Sequence, residues 1–150
     1  IIVGGTGLYI ESVVEQYKFD NQHLKSNQKG GLHPNTLVLN LNPDREIIKL
    51  NIQKRLIERW ENEGMLREVQ TLIESGVSKS WLKTLGLEYR FITEYIEGKF
   101  KTEEEMLTKL NTASWQFAKR QITFLKRWEY AHQITSKNKA PDLSSNFLRD

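Results

Sequence analysis

The sequence begins IIVGGTGLYI (Ile1–Ile10), and the reading of these ten residues decides the fold class. A β-branched run, Ile1-Ile2-Val3, leads into Gly4-Gly5-Thr6-Gly7, and a helix-like stretch follows. Strand, glycine turn and helix N-terminus in that order are how a phosphate-cradling loop begins, because successive backbone N–H groups then face one anion. Thr6 adds a hydroxyl that can donate to a phosphate oxygen or hold an incoming nucleophile. No Gly-Lys-Ser/Thr completes a P-loop, and no third glycine completes a dinucleotide fingerprint. The same residues also suit a plain strand-to-helix turn that uses glycine for its backbone freedom. Spacing alone leaves both readings open. An Ile-Ile-Val strand expects parallel neighbours on both sides, and the chain offers few strands to supply them. The expectation is therefore one portion of a longer α/β protein.

The 150 residues are enough for one domain (residues 1–150) with a real core. With 38% apolar and 27% charged residues, the composition is that of a water-soluble fold, and no apolar run reaches membrane-spanning length. The absence of cysteine excludes disulfides and thiolate-metal sites, and His23, His33 and His132 lack metal-ligand spacing. A net charge of +3 is too mild to imply nucleic acid by itself, so the placement of charge matters more than its sum.

Periodicity predicts a helix over Leu8–Tyr17, with Leu8, Val13, Val14 and Tyr17 on its buried face. Asp20–Asn35 reads as a long polar loop, anchored only by Leu24 and Leu32. Thr36–Leu41 (TLVLNL) reads as a central strand. Asn42 or Asp44 caps the next helix, which runs to about Glu63 with Ile48, Ile52, Leu56 and Trp60 at i+4 spacing. Further helices are expected at Met65–Glu74 and Leu82–Glu97, stopped by Gly76 and Gly98. Thr102-Glu-Glu-Glu105 is a capping box that launches the longest helix, to about Tyr130. A last strand, His132–Thr135, precedes a polar tail containing Pro141. The fold class is α/β, with helices dominating.

Two cationic surfaces stand out. Arg55 and Arg59 lie at i and i+4 beside Lys54, suited to a diphosphate or an RNA backbone. Pairing with Glu58, Glu61 and Glu63 is the plainer alternative. In WQFAKRQITFLKRWEY (Trp115–Tyr130), cations interleave with aromatics, a pattern that suits RNA phosphates and unstacked bases. Most of those aromatics read as core, with cations reaching out to water. The Lys119-Arg120-Gln121 cluster has no acidic residue at i±4 and is harder to explain that way.

Together these pieces resemble the tRNA dimethylallyltransferase (tRNA isopentenyltransferase) family. The resemblance rests on GGTGLYI (Gly4–Ile10), on Asp44-Arg45-Glu46, Arg55, Glu63-Gly64-Met65 and Glu68-Val69, on Gly86–Lys99, and on QFAKRQITFLKRWE (Gln116–Glu129). It implies a partial P-loop-kinase-like parallel sheet with a helix-dominated C-terminal part. It also implies transfer of a prenyl group from dimethylallyl diphosphate to N6 of the adenosine next to the tRNA anticodon.

By that resemblance Thr6 and Arg55 are the catalytic candidates, and Gly4, Gly5, Thr6, Gly7 and Arg55 bind the diphosphate. Lys119, Arg120, Gln121, Thr123 and Arg127 face the anticodon stem-loop. Mg²⁺ would be held through the diphosphate and an upstream segment, with no metal ligand assigned in this chain. A cytoplasmic enzyme, monomeric at full length and free of the membrane, is implied. The family's P-loop and its aspartate base lie upstream of GGTGLYI, and its helical insertion follows that motif. Here residues 20–35 stand in the insertion's place, and Gly86-Leu87-Glu88-Tyr89 replaces the usual Gly-Tyr-Lys-Glu. The alternatives are an RNA-binding module without catalysis and a relative that prenylates free adenine nucleotides.

Overall fold

The computed structural model describes residues 1–18 and 30–149; the predicted loop's residues 20–29, with His23 and Leu24, lie outside the described residues. The chain divides into two compact units, residues 1–43 with 119–150, and residues 44–118.

In the first unit, α1 spans Gly7–Val14, shorter than expected. Gln16 at φ 50° takes a left-handed conformation that a helix cannot continue. The buried face also differs from the expected one. Gly7, Glu11 and Val14 are inside, while Leu8 and Val13 are exposed. Residues 7, 11 and 14 share one face at i, i+4 and i+7, so the helix turns a polar carboxylate inward and apolar side chains outward.

The expected strand at Ile1–Val3 does not form, and all three residues are exposed. A strand needs a ladder partner, and among the described residues the sheet consists of two strands that pair only with each other. These are β1 (Leu39–Leu41) and β2 (His132–Ile134), parallel, with Leu39 opposite His132, Asn40 opposite Gln133 and Leu41 opposite Ile134. β1 is not the fully buried central strand expected. Asn40 is buried, its Nδ2 donating to Gln133 Oε1 at 2.9 Å, and Leu41 is exposed. The core of this unit is Val14, Val38, Trp128 and Ala131, with Ile10, Phe124, Leu125 and Tyr130 packed around it. The polar tail carries helical structure. Ser136 Oγ caps a short 3₁₀ turn at Lys137–Lys139, and α7 follows at Ala140–Phe147 with Pro141 in its first turn, where the missing N–H is no loss.

The second unit begins with α2 (Arg45–Glu61), capped where expected: Asp44 Oδ1 accepts from Glu46 N at 2.8 Å. Leu56 is buried along the predicted stripe, and Ile48, Ile52 and Trp60 are half-buried. Gly64, at φ 68°, turns the chain into α3 (Met65–Glu74).

The single helix expected over Leu82–Glu97 is instead two. A one-turn helix, α4 (Lys79–Leu82), is capped by Ser78, and α5 covers Leu87–Ile96. Gly86 between them sits at φ 152°, a conformation L-residues avoid, and it redirects the chain. α6 spans Glu103–Leu125, and its residues from Lys119 onward belong to the first unit.

The capping box is half-formed as drawn. Glu105 N donates to Thr102 Oγ1 at 3.1 Å, but the Glu105 carboxylate accepts from Lys101 N at 2.9 Å. Two apolar clusters hold the unit. One is Leu56, Phe91, Met106 and Leu110; the other is Met65, Val69, Leu82 and Ile92, and Trp60 packs against both. Burial of each such side chain stabilises the fold by about 1.5–3 kcal/mol.

Candidate functional site

The glycine-turn segment meets the end of α6 and the residues that follow it, in the first unit, through four contacts that advance together along both segments. Gln121 Nε2 donates to Gly5 O at 2.9 Å. The Phe124 ring lies against Gly7, in the space a Cβ there would occupy. Arg127 donates from a terminal guanidinium nitrogen (Nη2) to Glu11 Oε2 at 3.2 Å. Tyr130 Oη donates to Glu15 Oε1 at 3.1 Å. Residues 121, 124, 127 and 130 thus grip 5, 7, 11 and 15 in the same order.

The physical reason for the register lies at Gly7 and Glu11. Only a residue without a side chain lets the Phe124 ring approach α1 this closely. A carboxylate that is 4% exposed requires a charged or hydrogen-bonding partner, and Arg127 supplies one while its guanidinium also lies 4.1 Å from the Phe124 ring centroid.

Thr6 stands at the head of α1 as its N-cap residue, yet its hydroxyl makes no capping bond and the residue is exposed. Behind it Gly7 is buried, and the Tyr9 and Ile10 N–H groups donate to Thr6 O at 3.2 and 3.4 Å, so the Thr6 hydroxyl is the exposed donor at this point. Of the predicted RNA-facing residues, Arg120 is exposed, Lys119 is half-buried, and Thr123 Oγ1 donates to the Lys119 carbonyl of its own helix at 3.0 Å. Gln121 and Arg127, grouped with them on sequence grounds, are both committed to the glycine-turn segment. Glu11, Glu15, Phe124 and Tyr130 went unread as partners. The signal was present in the three-residue spacing 121/124/127/130 and in two glutamates four residues apart, Glu11 on α1 and Glu15 at its C-cap.

Arg55 belongs to the second unit, where it is exposed and has no ion-pair partner among the described residues. Its neighbour Arg59 is engaged, with Nε on Glu63 at 3.2 Å and Nη1 on Glu88. Burial pulls the Arg59 pKa down, but Glu88 and then Glu63 outweigh it and the net shift is upward. Tyr89 Oη donates to Glu68 Oε1 at 2.5 Å, which, with burial, raises the phenol's pKa. The residues that replace the usual Lys-Glu of this motif, Glu88 and Tyr89, are thus each tied into the unit's own polar contacts.

Among the described residues no group of three or more His, Cys, Asp or Glu side chains could hold a metal ion. Among the same residues, no helix is long and apolar enough to cross a membrane.

A family model described as IPP transferase matches residues 18–128. The chain belongs to the IPP transferase family. A tRNA dimethylallyltransferase 2 of Shewanella sediminis is 34% identical over 181 aligned positions, covering 86% of this chain and 60% of that relative. A second tRNA dimethylallyltransferase 2, from Treponema denticola, is 43% identical over 93 residues, covering 62% of this chain and 31% of its own length.

A crystal structure of a tRNA delta(2)-isopentenylpyrophosphate transferase from Staphylococcus epidermidis superposes with a TM-score of 0.60 at 30% identity. It covers 72% of this chain and 34% of that one. The α/β class expected from sequence agrees with this neighbour. The chain spans less than two thirds of the length of these relatives. The Shewanella alignment is longer than the 150-residue chain, so that relative carries residues with no counterpart here.

Proposed function

We propose that this chain forms part of a tRNA-modifying prenyltransferase that moves a dimethylallyl group from dimethylallyl diphosphate to N6 of the adenosine beside the anticodon. Family membership supports the reaction class. The observation that carries the placement of the site is the Gln121–Gly5 hydrogen bond. It fastens a turn of the anion-binding type to the helical segment that bears Lys119 and Arg120, so a diphosphate and an RNA would be presented at adjacent positions.

In this reading the N6 lone pair attacks the allylic carbon as the carbon–oxygen bond to diphosphate breaks. The electron pair stays on the leaving oxygen, and the N6 proton passes to the aspartate that the family carries upstream of its glycine turn. Charge grows on the diphosphate, so donors aimed at it lower the barrier. Thr6 Oγ1 at the head of α1 is such a donor in this reading, and Arg55 keeps the diphosphate-binding role that the family resemblance implies. Mg²⁺, if bound with the diphosphate, would supply further charge neutralisation for the leaving group. A cytoplasmic location and a monomeric full-length protein follow from the same proposal.

The test is a transfer assay with dimethylallyl diphosphate, Mg²⁺ and an anticodon stem-loop, read as prenylated adenosine by mass. It compares this chain with the chain extended by whatever its reading frame encodes upstream. Product from the extended protein supports the transferase. Stem-loop binding without product from either form points to an RNA-binding module. Product on AMP but not on the stem-loop points to a nucleotide prenyltransferase.

A further inference from the structure

Resting on the proposed prenyl transfer, we infer that Glu11 is a positioning residue: through Arg127 it fixes the glycine turn, and with it Thr6, for attack on the allylic diphosphate.

Three observations converge on Glu11. Its side chain is 4% exposed, whereas the flanking apolar residues Leu8 and Val13 are turned out to water. A helix that buries a carboxylate ahead of a leucine does so only if the carboxylate is held, because an unpaired buried charge is strongly unfavourable. Arg127, the partner, is itself fixed by the Phe124 ring at 4.1 Å, so the pair is directional rather than a loose surface contact. The pair also lies between the two contacts nearest the turn, Gln121–Gly5 and Phe124–Gly7, and the outer contact of Tyr130 with Glu15. Without it the segments would keep the Gln121–Gly5 and Tyr130–Glu15 hydrogen bonds and their apolar packing but lose the ion pair that holds the buried carboxylate, so α1, and Thr6 with it, would shift. A displacement of about 1 Å at a reacting group can cost about a hundredfold in rate.

Arg127, whose side chain is 57% exposed, is therefore assigned to its contact with Glu11 on the glycine-turn segment rather than to an RNA phosphate. The two assignments predict different outcomes. If Arg127 met RNA, its loss would weaken stem-loop binding and the loss of Glu11 would not. If the pair positions the turn, the two losses are equivalent and affect the chemical step.

The experiment uses Glu11→Gln, Arg127→Gln, their double variant and Arg127→Lys. Amide exchange at Gly5–Leu8 is read on this chain; kcat and stem-loop Kd are read on whichever form is active. Each Gln variant should speed exchange at the turn and lower kcat about tenfold, with stem-loop Kd changed less than about twofold. The double variant should be no worse than either single one. Arg127→Lys, which keeps the charge on Glu11, should stay within about threefold of the parent.

Unchanged exchange at the turn in both Gln variants overturns the inference, as does a rise in stem-loop Kd confined to Arg127→Gln. Should the parent protein make no prenylated product at all, the transferase reading falls, and the exchange measurement still decides whether Glu11 holds the turn.

Discussion

The ring of Phe124 fills the space beside Gly7 that any larger residue's Cβ would need, so the head of α1 and the end of α6 meet at the closest approach the chain permits. The sign of Gly7→Ala depends on this contact. In an unobstructed helix, replacing Gly by Ala stabilises a protein by about 0.4–1 kcal/mol. Here the added methyl collides with ring carbons, and overpacking costs about 1–3 kcal/mol. The clash wins because Phe124 is itself packed against the Trp128 core and cannot swing away. Gly7→Ala should therefore lower the melting temperature, and Phe124→Leu in the same chain should recover part of the loss. A stabilised Gly7→Ala protein would show that the two segments do not meet as described.

Thr6 tests the chemistry separately from the fold. An N-cap threonine that bonds the helix costs about 1 kcal/mol when replaced by alanine. Thr6 makes no such bond, so Thr6→Ala should change stability by less than about 0.5 kcal/mol. If its hydroxyl faces the diphosphate, the same change should lower kcat by at least about tenfold, and Thr6→Ser should restore most of it. Equal and small effects on both readouts would remove Thr6 from the site.

Arg55 and Arg59 carry the same charge one helical turn apart and should behave oppositely. Arg59 is four-fifths covered and bound by Glu63 and Glu88, so Arg59→Ala strands a half-buried carboxylate at a cost of about 1–3 kcal/mol. Arg55→Ala removes an exposed side chain without an ion-pair partner among the described residues and should leave thermal unfolding within about 0.5 kcal/mol of the parent. In the proposed reaction it should instead raise KM for dimethylallyl diphosphate about tenfold. Melts and steady-state kinetics on both variants separate the two arginines.

These contrasts show what could be read from the residues alone. α2 and α3 were legible because an i+4 apolar stripe, an Asp cap and glycine stops at 64 and 76 agree with one another. The break between α4 and α5 was not. Apolar spacing continues across Gly86, and only its φ of 152° distinguishes a hinge from a helical glycine. The inward face of α1 was misread because Glu11 and Glu15 are buried by partners 116 and 115 residues away, which no local period records. Ile1–Val3 has strand propensity without a ladder, and propensity yields to context. For the candidate site, the ties of Gln121 to Gly5 and of Arg127 to Glu11 each span 116 residues, and only the contacts reveal them.

Acid should loosen the second unit through two carboxylates. The hydrogen bond from Lys83 is the largest influence on Glu97 and holds its pKa below the ordinary 4.5; for Glu105, Lys109 and then the Lys101 N–H do the same. A carboxylate whose pKa is lower folded than unfolded contributes stability that is present above the unfolded value and is lost as pH falls through the folded one. Tyr89 works in the other direction: its raised pKa contributes stability below about 10 that is lost as pH climbs through the folded value. The melting temperature should thus hold from neutral pH down to about 4.5 and decline below it. Lys83→Met and Lys109→Met should melt earlier at pH 7, where the ion pairs are lost. Both should then decline less steeply under acid, since fewer carboxylates are held in the charged form. Parallel curves for parent and variants between pH 6 and about 3 would mean that these lysines do not govern the acid response.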